Sequence, residues 1–194
     1  MGGAGGARLP PFPSLRLVGA PRRDVLYFFR IILRTFEQDG VRGGELLILD
    51  RQAEEGMIRH GEEGYPHEVC GLLVGHFEEG VATRTAREAC RAVNLNRERS
   101  ADRYDLDPAD FRRIEEEARQ RRMEIVGVYH SHPDHPSRPS ETDRQRAEEI
   151  WQSGESWSYV ILEVVGGSVA SRRSWVLRGG AFGEEEIRVS PRAT

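Results

Sequence analysis

One short segment of the sequence combines residue types that bind metal ions. His130 and His132 are separated by one residue at the end of a predicted strand, and Asp143 follows soon after. Residues at positions i and i+2 of a strand point to the same face, so both imidazoles could reach one metal ion. Pro133 is expected to end the strand, which places the pair at the carboxyl edge of the sheet, where α/β folds usually carry their sites.

A serine and an aspartate follow the histidines at the predicted start of a helix. Ser140 is expected to open this helix and Asp143 to lie in its first turn, after a loop that three prolines stiffen. Two histidines and one carboxylate are the typical shell of a catalytic zinc ion, with a fourth position for water. Zinc lowers the pKa of that water to about 7. His130, His132 and Asp143 are therefore the predicted zinc ligands.

A general base for such a site is predicted on another strand. Glu68 stands at the start of the apolar strand 69–74, where a neighbouring strand could bring it close to the metal. Peptide hydrolysis needs a carboxylate that is near the attacking water but off the metal. Its task is to take the proton of the water and pass it to the leaving amine.

Each of these features has a simpler interpretation when it stands alone. Most His-x-His pairs do not bind a metal ion. Ser140 followed by Asp143 is also the layout of a helix capping box, and Glu68 alone would fit a solvated strand end. The combination at this spacing is what favours a catalytic site.

Together, the motifs resemble the signature of the JAMM (MPN-type) zinc metalloproteases. Pro66–Gly71 matches the pattern Pro-x-Glu-x-x-Gly, and the His-x-His-Pro motif is followed by six residues, a serine, two residues and an aspartate. The resemblance covers roughly residues 44–178, including Gly127 and Trp175. It implies that the two histidines and the aspartate bind zinc and that Glu68 is the base. It also implies that Ser140 donates a hydrogen bond to the tetrahedral oxyanion.

The resemblance further implies a fold and a substrate. Members have an α/β fold similar to that of cytidine deaminase, with a mixed, curved β-sheet flanked by helices. They hydrolyse peptide or isopeptide bonds, often directly after the C-terminal Gly-Gly of ubiquitin-like proteins. The stretches 94–107 and 153–158 are short, so the chain is similar to the compact prokaryotic branch. The expected substrate is a small ubiquitin-like or sulfur-carrier protein, bound through its C-terminal tail; ubiquitin-type deconjugation stays open.

Two other classes of function are less favoured by the sequence. Non-catalytic MPN scaffolds usually lack a ligand or the glutamate, whereas all five positions are present here. A deaminase-like zinc enzyme would need one histidine and two cysteines in a Pro-Cys-x-x-Cys motif. Cys70 and Cys90 form no such motif.

The predicted elements alternate in an α/β order. Helices are expected at 51–63, from 107 onward, and at 141–153; strands are expected at 45–50, 69–74, 81–93, 124–129, 158–165, 169–177 and 185–189. These elements form one predicted metalloprotease domain at 44–190. Residues 1–43, rich in glycine, proline and arginine, are predicted to be a disordered or helical N-terminal extension with a candidate helix at 24–38.

Composition limits the partners and the setting. The net charge is −4 and no basic patch is visible, so a nucleic-acid partner is not expected. No apolar run reaches the roughly 20 residues of a membrane span. Two cysteines without a Cys-x-x-Cys pair fit a reducing, cytoplasmic setting. Whether the chain forms a homodimer is left open.

Several residues outside the signature also receive predictions. Asn94 and Tyr104 are expected to shape a substrate groove. Cys70 is expected to line the pocket without acting as a nucleophile, because the metal would supply the attacking hydroxide. His60 and His76 are expected at the surface.

Overall fold

The computed structural model describes residues 45–152 and 156–191. The strands are β1 (Leu46–Leu49), β2 (Cys70–Glu78), β3 (Thr83–Ala92), β4 (Glu124–Pro133), β5 (Ser158–Val165), β6 (Ser168–Arg178) and β7 (Ala181–Val189). The helices are α1 (Arg51–Gly64), α2 (Pro108–Gln120) and α3 (Glu141–Gln152), with a short 3-10 turn at Glu79–Val81. The predicted N-terminal extension, residues 1–43 with the candidate helix at 24–38, lies outside the described residues.

The strands form a single sheet that closes on itself in the order β1-β3-β2-β4-β5-β6-β7. β1 runs parallel to both β3 and β7, and β4 runs parallel to β5, while the other neighbours are antiparallel. The mixed α/β class expected from the sequence is confirmed. Closure into a barrel was not predicted; the short strand β1 produces it by pairing on both of its edges.

The helices cover the two faces of the sheet. α1 buries Ala53, Met57 and Gly61, whose four-residue spacing places them on one side of the helix. α2 begins as predicted, with Pro108 at its first position and the Asp107 side chain accepting a hydrogen bond from the backbone of the following turn. Within the described ranges, each helix is too short or too polar to cross a membrane.

The central strands are buried on both faces. Successive side chains of a strand point to opposite faces, so the two faces belong to two separate hydrophobic clusters. On β4, Tyr129 belongs to the cluster that includes Met57 of α1, whereas Val128 belongs to the cluster that includes Ile114 of α2 and Ala147 of α3. Side chains two positions apart on a strand share a face. The even-numbered residues after Val128 therefore point to the side of α2 and α3.

Candidate metal centre

β4 brings two imidazoles to the same side of the sheet. His130 and His132 continue the face of Val128, and β4 runs through both of them before it ends at Pro133. The two side chains are buried, and their Nε2 atoms lie 3.0 Å apart. The strand geometry thus points two metal-binding nitrogens at one position, as the spacing predicted.

α3 places a carboxylate at this position. Asp143 Oδ1 lies 3.3 Å from His130 Nε2, and Oδ2 lies 3.8 Å from His132 Nε2. One donor atom from each of the three residues falls within 4.8 Å of the others. A tetrahedral zinc ion, with bonds of about 2.0–2.1 Å, separates its ligand atoms by roughly 3.3 Å. The donor set and its spacing therefore fit a metal ion of this kind.

The surroundings shift the pKa values of the three side chains in different directions. Burial raises the pKa of Asp143, but the neighbouring His130 and His132 and the Ser140 hydroxyl outweigh it, so that the pKa lies well below its ordinary value. Burial lowers the pKa of His130 and favours the neutral imidazole that binds metals. For His132, burial acts in the same direction, but the hydrogen bonds to Asp143 and to the Pro136 carbonyl raise the pKa overall.

A capping box at the start of α3 holds the aspartate. The Ser140 hydroxyl donates to Asp143 Oδ2 at 2.6 Å, and the Ser140 backbone N–H donates to the same oxygen at 2.7 Å. In return, the Asp143 N–H donates to Ser140 Oγ at 3.2 Å. The helix cap, which the sequence offered as the simpler interpretation of these two residues, is thus present, and it orients the carboxylate toward the histidines.

The two imidazoles are fixed in different ways. His132 Nδ1 lies 2.9 Å from the Pro136 carbonyl oxygen, so its N–H can donate there and leave Nε2 free to bind a metal. His130 Nδ1 is buried and has no hydrogen-bond partner among the described residues. Instead, the ring of His130 stacks on Tyr104, with the ring centroids 4.6 Å apart and the planes at 30°.

The loop between β4 and α3 is tied to the sheet. Trp175 Nε1 donates to the Ser137 carbonyl at 3.1 Å, and the Asp134 N–H donates to the Val164 carbonyl at 2.8 Å. The Tyr65 hydroxyl donates to Asp134 at 2.9 Å. These bonds fix the path from the histidines to the helix that carries the aspartate.

Glu68 is buried two residues before β2, close enough to His132 and Asp143 for their charges to shift its pKa. Its N–H donates to the Ser100 carbonyl at 2.5 Å, and its carbonyl accepts a hydrogen bond from the Asn94 side chain at 2.9 Å. Burial raises the pKa of Glu68 to about 7; His132 lowers the value and Asp143 raises it. A carboxyl with a pKa near neutrality can exchange a proton in either direction at physiological pH.

Comparison with known proteins agrees with this geometry. The model of a family described as prokaryotic homologs of the JAB domain matches residues 50–178. The chain belongs to this family. The resemblance that the motifs carried is thereby confirmed.

Two relatives of this JAB domain are named desampylase. The protein from Haloferax volcanii is 36% identical over 105 residues, which cover 52% of this chain and 72% of the relative. The protein from Pyrococcus furiosus is 32% identical over 103 residues, which cover 50% of this chain and 68% of the relative. The matched regions thus make up most of each relative.

Two solved structures resemble the JAB domain. A solution structure of a protein from Desulfitobacterium hafniense superposes with a TM-score of 0.63 at 26% identity, covering 74% of this chain and 92% of that one. A solution structure of a protein from Salinibacter ruber has a TM-score of 0.55 at 33% identity, covering 74% and 91%.

An open groove of about 510 Å³ leads to the predicted base. Its walls are formed by residues from α1, from the segment that precedes β2, from the end of β3 and the residues after it, and from α2. These residues are His60, Glu68, Val69, Arg91, Ala92, Val93, Asn94, Asp110 and Arg113. Asn94 lines this groove, as predicted, and its side chain also holds the Glu68 backbone. Glu68 thus belongs to the wall of this groove, whereas His130, His132 and Asp143 are not among the residues that line it.

Two expectations for residues around the site are wrong. Tyr104 does not face the groove, because its ring is buried against His130. Cys70 is completely buried, with Sγ toward the carbonyl oxygens at the end of β3, so it lines no pocket. His60 is half-buried: it lines the groove, and its Nδ1 lies 2.9 Å from the Tyr129 hydroxyl. His76 is exposed, as expected.

Sequence reasoning missed the role of the residue between the two histidines. Ser131 Oγ accepts a hydrogen bond from the Val69 N–H at 3.0 Å, and the Ser131 N–H donates to the Val69 carbonyl at 3.0 Å. The serine between the two histidines is the signal in the sequence. Its side chain points to the opposite face of β4 from the imidazoles, and its hydroxyl could have indicated a hydrogen bond to the neighbouring segment.

Proposed function

We propose that this JAB domain is a zinc-dependent peptidase or isopeptidase that acts on ubiquitin-like proteins. The observation that carries the proposal is the convergence of His130, His132 and Asp143, with the buried carboxyl of Glu68 near enough for two of these residues to shift its pKa. The two relatives named desampylase support a hydrolase that deconjugates a ubiquitin-like protein. The metal-binding geometry and the family relationship thus favour the same reaction class.

Three side chains of this domain would hold the zinc ion. His130 and His132 would bind it through their Nε2 atoms and Asp143 through a carboxylate oxygen. Two imidazoles and a carboxylate are a donor set typical of catalytic zinc. When bound, zinc polarises a carbonyl group and makes hydroxide available at neutral pH.

Glu68 is the proposed general acid and base. Its carboxyl would take a proton from the attacking water and pass it to the nitrogen of the leaving amine, so that a neutral amine departs. Burial raises the pKa of Glu68 to about 7, which brings the two protonation states close in free energy. The hydrogen bonds that its backbone makes with Ser100 and Asn94 would fix the main chain from which this carboxyl extends.

Ser140 is the proposed donor to the oxyanion that forms when the carbonyl is attacked. Its hydroxyl bonds to Asp143 Oδ2, and this oxygen also accepts the Ser140 backbone N–H at 2.7 Å. If the hydroxyl rotates toward the substrate, Asp143 keeps the backbone donor. The capping role and the catalytic role of Ser140 are therefore compatible.

The proposed substrate bond follows a flexible C-terminal Gly-Gly of a small ubiquitin-like or sulfur-carrier protein. The reacting groups are buried, with His130 only 1% and Glu68 only 7% exposed, so a folded body cannot reach them. Glycine has no side chain and lets a backbone approach such a recessed centre closely. Recognition would therefore depend mainly on the tail.

A panel of carrier fusions tests the proposed function. A small ubiquitin-like carrier ending in Gly-Gly-X is compared with the same carrier ending in Ala-Ala-X, and Glu68→Gln serves as the blank. The proposal predicts cleavage after Gly-Gly, weak or no cleavage after Ala-Ala, and none with the blank. Equal cleavage of both fusions would contradict the proposal that the enzyme recognises the Gly-Gly tail. No cleavage of any peptide or isopeptide fusion would contradict the peptidase assignment.

A further inference from the structure

The ring of Tyr104 contacts two residues that belong to the two sides of the metal centre. It stacks on His130, with ring centroids 4.6 Å apart, and the guanidinium carbon of Arg146 lies 4.6 Å from the centroid of the Tyr104 ring. Arg146 follows Asp143 by three residues on α3, so the two are neighbours on the helix surface. Tyr104 therefore joins the strand that carries His130 to the helix that carries Asp143.

Tyr104 belongs to a segment that also forms hydrogen bonds with the backbone of Glu68, the proposed base. This segment, residues 94–106, is called the arm; its ends pair as an antiparallel bridge between Asn94 and Leu106. The arm supplies the Asn94 side chain to the Glu68 carbonyl and the Ser100 carbonyl to the Glu68 N–H. The position of the Glu68 backbone therefore depends on the arm.

Arg146 binds the arm at a second point. Besides packing on the Tyr104 ring, its guanidinium forms an ion pair with Asp105. The Arg146 side chain is 26% exposed and the Asp105 side chain 52%, so water screens this ion pair in part, and the packing of Arg146 on the Tyr104 ring is the better shielded of its two contacts. One arginine of α3 thus contacts two consecutive residues of the arm.

The His130 ring lacks the hydrogen bond that usually fixes the plane of a metal-binding histidine. A metal-binding histidine normally donates its second ring N–H to an acceptor, which fixes the plane of the ring, as His132 does with Pro136. His130 Nδ1 is buried without a hydrogen-bond partner among the described residues. The stacked ring of Tyr104 is then the contact that can hold the plane of His130.

We propose that Tyr104 and Arg146 are positioning residues that tie the metal ligand His130 to the base Glu68 through the arm. Tyr104 holds the imidazole plane from one side of the centre. Arg146 holds Tyr104 and Asp105, and thereby keeps Asn94 and the rest of the arm on Glu68. The catalytic part of this inference rests on the proposed function. The effects of Tyr104 on zinc binding and of Arg146 on the arm can be measured without substrate.

Zinc affinity tests the support of His130. Chelator competition on the full chain compares the wild type with Tyr104→Leu, Tyr104→Phe and Tyr159→Leu. Tyr159 is equally buried, but its ring packs edge-on against Phe182 instead of a histidine, so its variant controls for the loss of an aromatic ring. Tyr104→Leu is expected to bind zinc about 10–100-fold more weakly, the usual effect of losing a residue that orients a ligand. Tyr104→Phe keeps the ring and is expected to bind like the wild type.

Amide hydrogen exchange tests the support of Glu68. The Glu68 and Leu95 amides donate to carbonyls of the arm, at 2.5 Å and 2.7 Å, and their exchange is followed with chelator present. Arg146→Gln is expected to speed their exchange about tenfold or more, because local opening of the arm exposes both amides. Arg144→Gln is the control, since Arg144 lies on the same helix and its ion pairs among the described residues are with Glu141 and Glu148 of α3, not with the arm.

The outcomes separate the inference from the proposed function. If the wild type binds zinc and Tyr104→Leu binds it equally tightly, or if Arg146→Gln leaves both amides as protected as Arg144→Gln does, the inference is wrong while the proposed function stands. If the wild type binds zinc and the variants behave as expected but no fusion is cleaved, the proposed function fails and the positioning roles stand. If the wild type binds no zinc, both fail.

Discussion

The Val69 N–H donates a hydrogen bond to Ser131 Oγ at 3.0 Å, so the residue next to the proposed base is bound to the residue between the two histidines. This bond fixes the entry to β2 relative to β4 at the point where the site is built. β2 and β4 are also paired, with Cys70 opposite His130. The backbone next to Glu68 and the residues His130 and His132 thus lie on two adjacent segments that hydrogen bonds hold together.

Replacement of a ligand is expected to remove the metal. His132→Ala should lose most of the near-stoichiometric zinc predicted for the wild type, because two donors remain of three. Metal analysis of the purified proteins measures this directly. His135→Ala is the matched control, since His135 is exposed in the same loop. Full retention of zinc by His132→Ala would rule out the ligand assignment.

Two substitutions at Ser140 separate its capping role from its catalytic role. Ser140→Ala is expected to lower turnover by about 10–1000-fold through loss of the oxyanion donor, and to lower stability by about 1 kcal/mol through loss of the cap. Ser140→Gly should lose the same activity but only a few tenths of a kcal/mol, because glycine is tolerated at the N-cap. Thermal denaturation and turnover per folded molecule are measured together. Unchanged turnover in both variants would leave Ser140 as a cap alone.

Gly71, the glycine of the Pro-x-Glu-x-x-Gly motif, is expected to tolerate no side chain. A Cβ atom at this position would lie 2.4 Å from the Cys90 carbonyl oxygen and 2.4 Å from the Tyr129 ring. Gly71→Ala should therefore destabilise the domain by about 1–3 kcal/mol, the range for overpacking a core. Gly183→Ala is the control, because a Cβ there meets no atom within 4 Å. Equal melting temperatures for the two variants would contradict this explanation of the motif glycine.

His60 is expected to make stability depend on pH. Burial, aided by Arg91 and opposed by Glu63, lowers the pKa of His60 from 6.5 to about 4. Between these values the unfolded chain binds more protons than the folded one, so the stabilisation is complete above pH 6.5 and is lost as the pH falls toward 4. With allowance for the partial exposure of His60, the loss is on the order of 1–2 kcal/mol.

Chemical denaturation at a series of pH values measures this effect, with chelator present throughout. His60→Gln should show a shallower decline between pH 6.5 and 4 than the wild type, and His76→Gln, at an exposed histidine, should follow the wild type. Parallel curves for the wild type and His60→Gln would show that His60 does not titrate as the structure indicates.

The sequence predicted the order of elements well, because each carried a local signal. The alternation of β4 placed both histidines on one face, and Asp107-Pro108 marked the start of α2. Closure of the barrel had no such signal, because the pairing of β1 with β7 joins residues that are about 140 positions apart. Long-range pairings of this kind are set by the packing of the whole sheet and not by the strand itself.

The candidate site was predictable to the extent that its residues lie in short motifs. His130, His132 and Asp143 share one segment, and the structure brings them together. The residues that pack against the site come from distant parts of the chain, so their contacts were not predictable from the sequence. Tyr104 stacks on His130 although nothing in the spacing relates them, and His60 reaches Tyr129 across 69 positions of sequence.

The most direct test of the whole account is the behaviour of Glu68→Gln. The amide has the size of the carboxyl but cannot take a proton, and Glu68 is proposed to act off the metal. Zinc content and turnover are measured on the same preparation. The account predicts that the variant is folded, retains the zinc of the wild type and has no measurable cleavage of the Gly-Gly fusion. Loss of zinc would make Glu68 a metal ligand, and retained cleavage would show that another group is the base; either result would contradict the mechanism.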